Sequence, residues 1–365
     1  MKKKIMFAVS RLTGGGAERV VSLWANGLSI MNYKVTILVA YRTENEYEIN
    51  PKVNIETIAS SVNEYLNLGL LKKLHLIRKI IKANEIECVI PFLPAMQILV
   101  MLAAQGTKCK RIDTIRINPW KMNSVTSKIG KMLWKLCFKT ADAIIIQTEE
   151  QELFFDDKIK KKCCVIPNAI GDFYLNYNNK REMFSVEKCI AVGRICEQKN
   201  YKLLIEGFAD IVKKYPNAKI DIYGTGESDY CNSINQLILL NNMENNIVLK
   251  GRVENMERVY GNYDYFLMTS NYEGLPNALI ESMASGLICI STDCKTGPRD
   301  LISQGKTGFL ISVGDKNNFV DTVNKAFAID QNELKKISIN ARKDILNKCS
   351  SQNTFSKLCS LIDEI

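Results

Sequence analysis

The chain has 365 residues, 46% hydrophobic and 24% charged. This composition excludes a disordered or collagen-like protein and suits a globular chain of two domains, each large enough to bury its own core. No run approaches the ~18 consecutive apolar residues of a membrane-spanning helix. The net charge of +10 is unevenly placed: residues 1–168 carry 26 Lys and Arg against 15 Asp and Glu, and residues 169–365 carry 23 against 24. A basic first half points to an anionic partner, for which nucleic acid and a phosphate-bearing membrane surface both qualify.

The chain opens with three lysines and an apolar run, the outline of a secretory leader. The run stops at Ser10-Arg11 and enters a glycine loop, so a first strand over Lys4–Val9 is expected instead. The twelve cysteines are scattered without a C-x-x-C pair and are expected to be reduced cytosolic thiols. The one histidine, His75, falls in the helical pattern LLKKLHLIRKIIKA and reads as a helix-surface residue. One histidine cannot build a His-based metal site, and no D-x-D occurs, so no metal and no cofactor are expected.

After Lys4–Val9 come Gly14, Gly15 and Gly16 and a helical run over Val20–Leu28. Strand, glycine loop and helix N-terminus can cradle a phosphate, although neither G-x-G-x-x-G nor G-x-x-x-x-G-K-[ST] is present and a structural turn fits equally. Lys34–Ala40, Asn54–Ile58, Cys88–Phe92, Ile112–Ile117, Ala143–Gln147 and Cys163–Ile166 read as further strands separated by helical segments, a Rossmann-like alternation. Within Ser124–Thr140, lysines at 128, 131, 135 and 139 alternate at helical spacing with apolar residues around Trp134. This is either an amphipathic helix packed on its own domain or a contact with an anionic lipid surface. Pro167-Asn168 and the polar stretch Asp172–Arg181 mark the domain boundary.

The second half begins a new sheet at Cys189–Val192 and runs into Gly193-Arg194, with Lys199 ahead of a helix over Tyr201–Tyr215. Arg and Lys at a glycine turn can grip a diphosphate, the first as a fork and the second as a point charge. Lys219–Tyr223 is the next strand, then Gly224. Asn246–Lys250 follows, leading to Gly251-Arg252-Val253. The apolar run Tyr265–Met268 precedes Asn271–Gly286, NYEGLPNALIESMASG, which turns through Glu273-Gly274-Leu275-Pro276 into a helix over Asn277–Ser285 with Gly286 as its cap. The free N–H groups at that helix start form a site for an anion or a hydroxyl cluster. Glu273 before the helix and Glu281 within it can reach different parts of one ligand. Every one of these loops lies at the C-terminal end of a strand, where open α/β sheets bind ligands.

The spacing E-x7-E with Gly-Leu-Pro-Asn after the first Glu resembles the signature of family 4 retaining glycosyltransferases. GGGAERV, IPNAI, VGRICEQKN, IYGTGE, LKGRVENM and TDCKTGPRDLI look like further blocks of that family, in order across nearly the whole chain. The resemblance implies the GT-B fold: two Rossmann-like domains facing across a cleft, here 1–168 for the acceptor and 169–349 for the nucleotide-sugar, with a C-terminal helix, 350–365, returning to the first. It implies that Arg194 and Lys199 hold the donor diphosphate, that Glu273 contacts the transferred sugar and that Glu281 binds the ribose. The backbone of Gly274, Leu275, Pro276, Asn277 and Ala278 would line the sugar and phosphate pocket. Gly224, Arg252 and Val253 would lie by the base, and Gly14–Gly16 would let the first domain approach the diphosphate. GT-B enzymes balance the leaving diphosphate with cations and helix dipoles, in keeping with the missing D-x-D.

Many relatives carry a His in the first domain where this chain reads Ile115-Arg116-Ile117-Asn118-Pro119, so a role resting on that His does not transfer. The Cys-Lys-Thr-Gly-Pro-Arg and Arg-Ile-Asn segments look more like the branch that builds bacterial surface polysaccharide and lipid-linked oligosaccharide. The implied partners are a UDP-sugar and a polyprenyl-diphosphate saccharide, met peripherally on the cytoplasmic face of the membrane, with the basic first domain against anionic lipid. A nucleotide-sugar epimerase or hydrolase would use the same fold without an acceptor. A basic nucleic-acid-binding protein would explain the charge, but the basic–aromatic interleaving of such proteins is missing, so no nucleic acid is expected.

Overall fold

The computed structural model describes residues 2–121, 127–177 and 181–365. These form two compact units, 1–169 with 351–365, and 170–350. The sheet of the first unit comprises β1 (Lys4–Val9), β2 (Lys34–Val39), β3 (Asn54–Thr57), β4 (Cys88–Pro91), β5 (Lys110–Thr114), β6 (Ala143–Ile146) and β7 (Cys163–Val165). They are parallel, in the order β3-β2-β1-β4-β5-β6-β7. The second unit holds β8 (Cys189–Val192), β9 (Ile220–Tyr223), β10 (Ile247–Gly251), β11 (Tyr265–Met268), β12 (Ile288–Thr292) and β13 (Phe309–Ile311), also parallel, in the order β10-β9-β8-β11-β12-β13. In both sheets the order reverses beside the first strand, the topological switch point of a doubly wound fold.

The alternation of side chains explains why both faces are covered. In β1, Ile5, Phe7 and Val9 enter one core with Trp24 and Leu28, while Met6 and Ala8 enter the other with Ile77, Ile81 and Met96. A strand buried on both faces reads as a continuous apolar run, which is why these strands stood out in the sequence. In the second unit Tyr265 and Leu267 face the core under the helices Tyr201–Lys214 and Lys316–Phe327. Phe266 and Met268 face the one under Asn277–Ala284 and Gln331–Cys349.

Three readings need correction. The first helix begins at Gly16, four residues before its apolar run, with Gly15 as N-cap. Strand β5 stops at Thr114 instead of Ile117: one more ladder bond, Ile115 N to Ile145 O at 2.8 Å, follows, and the chain then enters the 3-10 turn Pro119–Lys121. Strand β13 had no sequence signal because only three residues pair.

The segment Ser124–Thr140 is described from Ser127 onward, the residues before it lying outside the described ones. Lys128–Thr140 is a helix that buries Trp134, Cys137 and Phe138. Trp134 Nε1 donates to Gln97 Oε1 at 2.7 Å, and Gln97 Nε2 donates to Thr114 O at 2.6 Å, so the helix is tied into its own sheet. Beside that buried face run an exposed apolar stripe, Ile129, Met132 and Leu136, and an exposed basic stripe, Lys128, Lys131, Lys135 and Lys139. His75 is exposed on the helix Leu70–Ala83.

The last helix, Ser351–Glu364, completes the core of the first unit with Phe355, Leu358, Leu361 and Ile362. The Phe355 ring fills the space where Gly27 lacks a side chain; a Cβ there would fall on the ring. Gly27→Ala alone is expected to cost about 1–3 kcal/mol through overpacking, although Ala is the better helix former. With Phe355 already changed to Ala, the same substitution is expected to stabilise by up to about 1 kcal/mol. Urea unfolding of the four proteins checks this reversal of sign.

Candidate active site

The site is assembled at the C-terminal ends of β8 to β12, and its backbone explains most of its glycines. Gly193 N donates to Tyr223 O and Ile195 N to Thr225 O, both at 2.9 Å, and Gly224 N donates to Gly251 O at 2.8 Å. The loops after β8, β9 and β10 are therefore stitched to one another. A Cβ on Gly224 would fall on the carbonyl oxygen of Gly193, so this approach requires glycine. Gly297, at φ +91°, plays the same part against Gly274: a Cβ there would meet the Gly274 carbonyl.

Glu273 and Lys199 meet in these loops. Lys199 Nζ lies 2.6 Å from Glu273 Oε1, with 16% and 8% of the two side chains exposed. Ser270 Oγ donates to the same Oε1 at 2.7 Å, whereas Oε2 has Gln198 Nε2 at 3.5 Å. Thr296 Oγ1 donates to the Glu273 carbonyl. Lys199 ends a short 3-10 turn, Glu197–Lys199, after which Asn200 takes a left-handed conformation (φ 49°) and caps the helix Tyr201–Lys214 by accepting from Leu203 N. Asn200 Nδ2 donates to Asn271 Oδ1 at 3.0 Å, and Thr269 Oγ1 donates to the Lys199 and Asn200 carbonyls at 3.1 Å. The two loops that carry the ion pair are thus fixed to each other by groups on both sides of it. Burial pushes the Cys294 thiol up to about 12, leaving it protonated and unsuited as a nucleophile.

Helix Asn277–Ala284 has Pro276 as its N-cap, which supplies no side-chain cap, and Leu279 N and Ile280 N donate to the Pro276 carbonyl at 3.1 and 3.2 Å. Its other end is closed. Gly286, at φ +74°, donates to Met283 O at 3.0 Å, and Leu287 N donates to Ser282 O at 3.1 Å, a Schellman ending. Arg181 Nη1 donates to the carbonyls of Ser285 at 3.0 Å and Gly286 at 2.9 Å, Ser338 Oγ donates to Gly286 O at 2.6 Å, and Arg342 donates to Ala284 O. Arg181 in turn pairs with buried Asp264 at 2.7 Å. Cations at the C-terminal end complement the helix dipole.

The expected residues fall as follows. Lys199 and Glu273 are in direct contact, and Gly274, Leu275, Pro276, Asn277 and Ala278 lead from them into the helix on which Glu281 is buried. Arg194, on the loop beside Gly224, is exposed, as are Arg252 and Val253 after β10. Gly14, Gly15 and Gly16 belong to the first unit, after β1, where the Glu18 carboxylate lies against Gly15, in the place a Cβ would take. Ser270, Gln198, Asn200, Asn271, Ser338 and Arg342 lie outside the residues expected from the sequence. Arg181, the end of the polar stretch Asp172–Arg181, packs its side chain against Asp264 instead of serving as a linker.

Residues 181–344 match the family described as glycosyl transferases group 1. The chain carries a group 1 glycosyltransferase domain. An uncharacterized glycosyltransferase of Methanocaldococcus jannaschii is 32% identical over 253 residues, 64% of this chain and 62% of that protein. A Campylobacter jejuni relative is named N-acetylgalactosamine-N,N'-diacetylbacillosaminyl-diphospho-undecaprenol 4-alpha-N-acetylgalactosaminyltransferase. It is 27% identical over 331 residues, covering 87% of this chain and 88% of the relative. Among solved structures, S. aureus TarM in complex with UDP and alpha-GlcNAc-glycerol superposes with a TM-score of 0.80 at 16% identity, covering 100% of both chains. The glycosyltransferase has the GT-B fold, and it is an enzyme of the hexosyltransferase class.

Arg181→Met would leave Asp264 buried without its partner and is expected to destabilise the glycosyltransferase by about 3–5 kcal/mol. Adding Asp264→Leu, which removes the stranded charge, should recover part of that loss. Denaturant unfolding of the single and double variants checks both.

Proposed function

We propose that the protein is a retaining glycosyltransferase of bacterial surface-glycan synthesis. It would move a hexose or N-acetylhexosamine from a UDP-sugar to a polyprenyl-diphosphate-linked saccharide at the inner face of the cell membrane. The observation that carries this reading is the buried Lys199–Glu273 pair at the loop that leads into Asn277–Ala284. Glu273 Oε1 accepts from both Lys199 and Ser270, which holds the carboxylate still, and Oε2, with Gln198 Nε2 at 3.5 Å, would accept from a sugar hydroxyl. In this reading Lys199, Arg194 and the start of the helix would offset the charge of a diphosphate. Glu281 would take the ribose, and the Gly224 and Arg252–Val253 loops the base.

In this mechanism the acceptor hydroxyl attacks the anomeric carbon on the face from which UDP leaves. Its proton passes to a departing phosphate oxygen, and Arg194 and Lys199 offset the charge growing there. No metal is needed for that balance. The choice of UDP is supported by the S. aureus complex, and the choice of a lipid diphosphate by the name of the C. jejuni relative. No helix among the described residues is long and apolar enough to cross a membrane, so such an acceptor would be met from the surface. The lysine and Ile129–Met132–Leu136 stripes of Lys128–Thr140 suit that contact.

UDP release should be measured for UDP-glucose, UDP-galactose and their N-acetylated counterparts, with EDTA throughout and with or without a polyprenyl-diphosphate saccharide. Acceptor-dependent release from one donor is expected, and release of a free sugar or epimer without acceptor would instead support a hydrolase or epimerase. Lys199→Ala should lower kcat by ~10²–10³ with the fold retained, although Glu273 loses its charged partner; full turnover would remove the assignment. Co-sedimentation with vesicles tests the membrane contact: binding to anionic vesicles should weaken at least tenfold in Lys131→Glu/Lys135→Glu, and neutral vesicles should bind neither protein.

A further inference from the structure

Three buried arginines of this chain invite comparison. Arg111 Nε faces Asp113 Oδ1 at 3.1 Å, and Arg181 faces Asp264 at 2.7 Å. Arg116 is as deeply buried, at 9% exposed, yet it pairs with no acid among the described residues. Its Nη1 donates to Asn168 Oδ1 at 3.0 Å, and its Nε and Nη2 are buried without a hydrogen-bond partner among those residues. The guanidinium carbon lies 4.3 Å from the centre of the Trp24 ring and 5.0 Å from that of Phe92, so the group is held flat against aromatic faces. Trp24 Nε1 and Thr148 Oγ1 are likewise buried without a partner there.

The placement of these groups gives the surplus of donors a direction. Arg116 follows β5, Phe92 follows β4, Gln147 and Thr148 follow β6, and Asn168 follows β7, so all stand at the C-terminal edge of one parallel sheet, where such sheets bind ligands. Gln147 Nε2 donates to the same Asn168 Oδ1 at 2.8 Å, which fixes the asparagine against Arg116. A buried cation without a counter-ion is strongly disfavoured unless an anion completes it.

We infer that Arg116, supported by Asn168 and Gln147 and stacked on Trp24 and Phe92, is an oxyanion-binding residue of the first unit that takes a diphosphate. Burial without a carboxylate pulls the Arg116 guanidinium down to about 9 while leaving it charged at neutral pH, as such a role requires. The site itself rests on the geometry. Only the source of the diphosphate, the lipid-linked acceptor or the nucleotide, rests on the transferase reading.

The test titrates inorganic pyrophosphate, farnesyl diphosphate and UDP against the wild-type chain, Arg116→Met, Arg116→Lys and Lys199→Met, reading the thermal midpoint. Pyrophosphate is expected to raise the wild-type midpoint, with apparent affinity at least tenfold weaker in Arg116→Met. Arg116→Lys keeps the charge but loses the fork and should fall between, which also serves if Arg116→Met fails to fold. Loss of the farnesyl diphosphate effect in the Arg116 variants assigns the anion to the lipid acceptor, and loss of the UDP effect assigns it to the nucleotide. Equal pyrophosphate affinity in wild type and both Arg116 variants, or no effect on the wild type, overturns the inference. A UDP effect lost only in Lys199→Met tests the donor site separately.

Discussion

The catalytic unit depends on holding one short helix by its tail. Asn277–Ala284 spans eight residues, too few to be stable alone, so the loop that leads into it is fixed only if the helix neither slides nor turns. Its buried face, including Leu279, Ile280 and Met283, sets rotation. Arg181, Ser338 and Arg342 set translation by occupying the carbonyls at the far end. The cost of burying Arg181 is met by Asp264, itself fixed by Ser185 N at 3.0 Å. A charge pair at one end of the helix therefore positions the Glu273–Asn277 loop at the other.

The loops around that helix follow the opposite economy: they give up side chains so that backbones can touch. Gly224 against Gly193 and Gly297 against Gly274 bring strand-end loops within hydrogen-bonding or contact distance. The resulting surface is built from peptide groups, whose positions vary less than those of long side chains. Within it Lys199 and Glu273 neutralise each other at 2.6 Å. A ligand that draws on either must offer the other a replacement, which favours a molecule with both an anion and hydroxyl groups.

Much of this was legible in the sequence because the parallel strands are apolar on both faces and the ligand loops follow them directly. The pairing of Glu273 with Lys199 was not, since 74 residues separate them and only the stitching of the loops brings them together. Arg181 sits at the end of a polar stretch and carries no periodic signal; its burial is decided by Asp264, 83 residues away. β13 escaped notice because three residues are too few to show a pattern. Arg116 was visible only as a departure from the family pattern. Its isolation from carboxylates is a property of the packed sheet edge and of no local motif.

The return of Ser351–Glu364 to the first unit has a consequence for how the chain is made. The core that contains Phe7 and Trp24 also contains Phe355, Leu358, Leu361 and Ile362. During synthesis the first sheet and the helix Gly16–Ile30 can form early, but their core lacks these four residues until the whole of 170–350 has emerged and Ser351–Glu364 follows it. The ribosome must therefore complete the second unit before the first is closed. The first unit is thus split in sequence by the second, and the apolar surface around Gly27 and Trp24 is what a chaperone would meet during that interval.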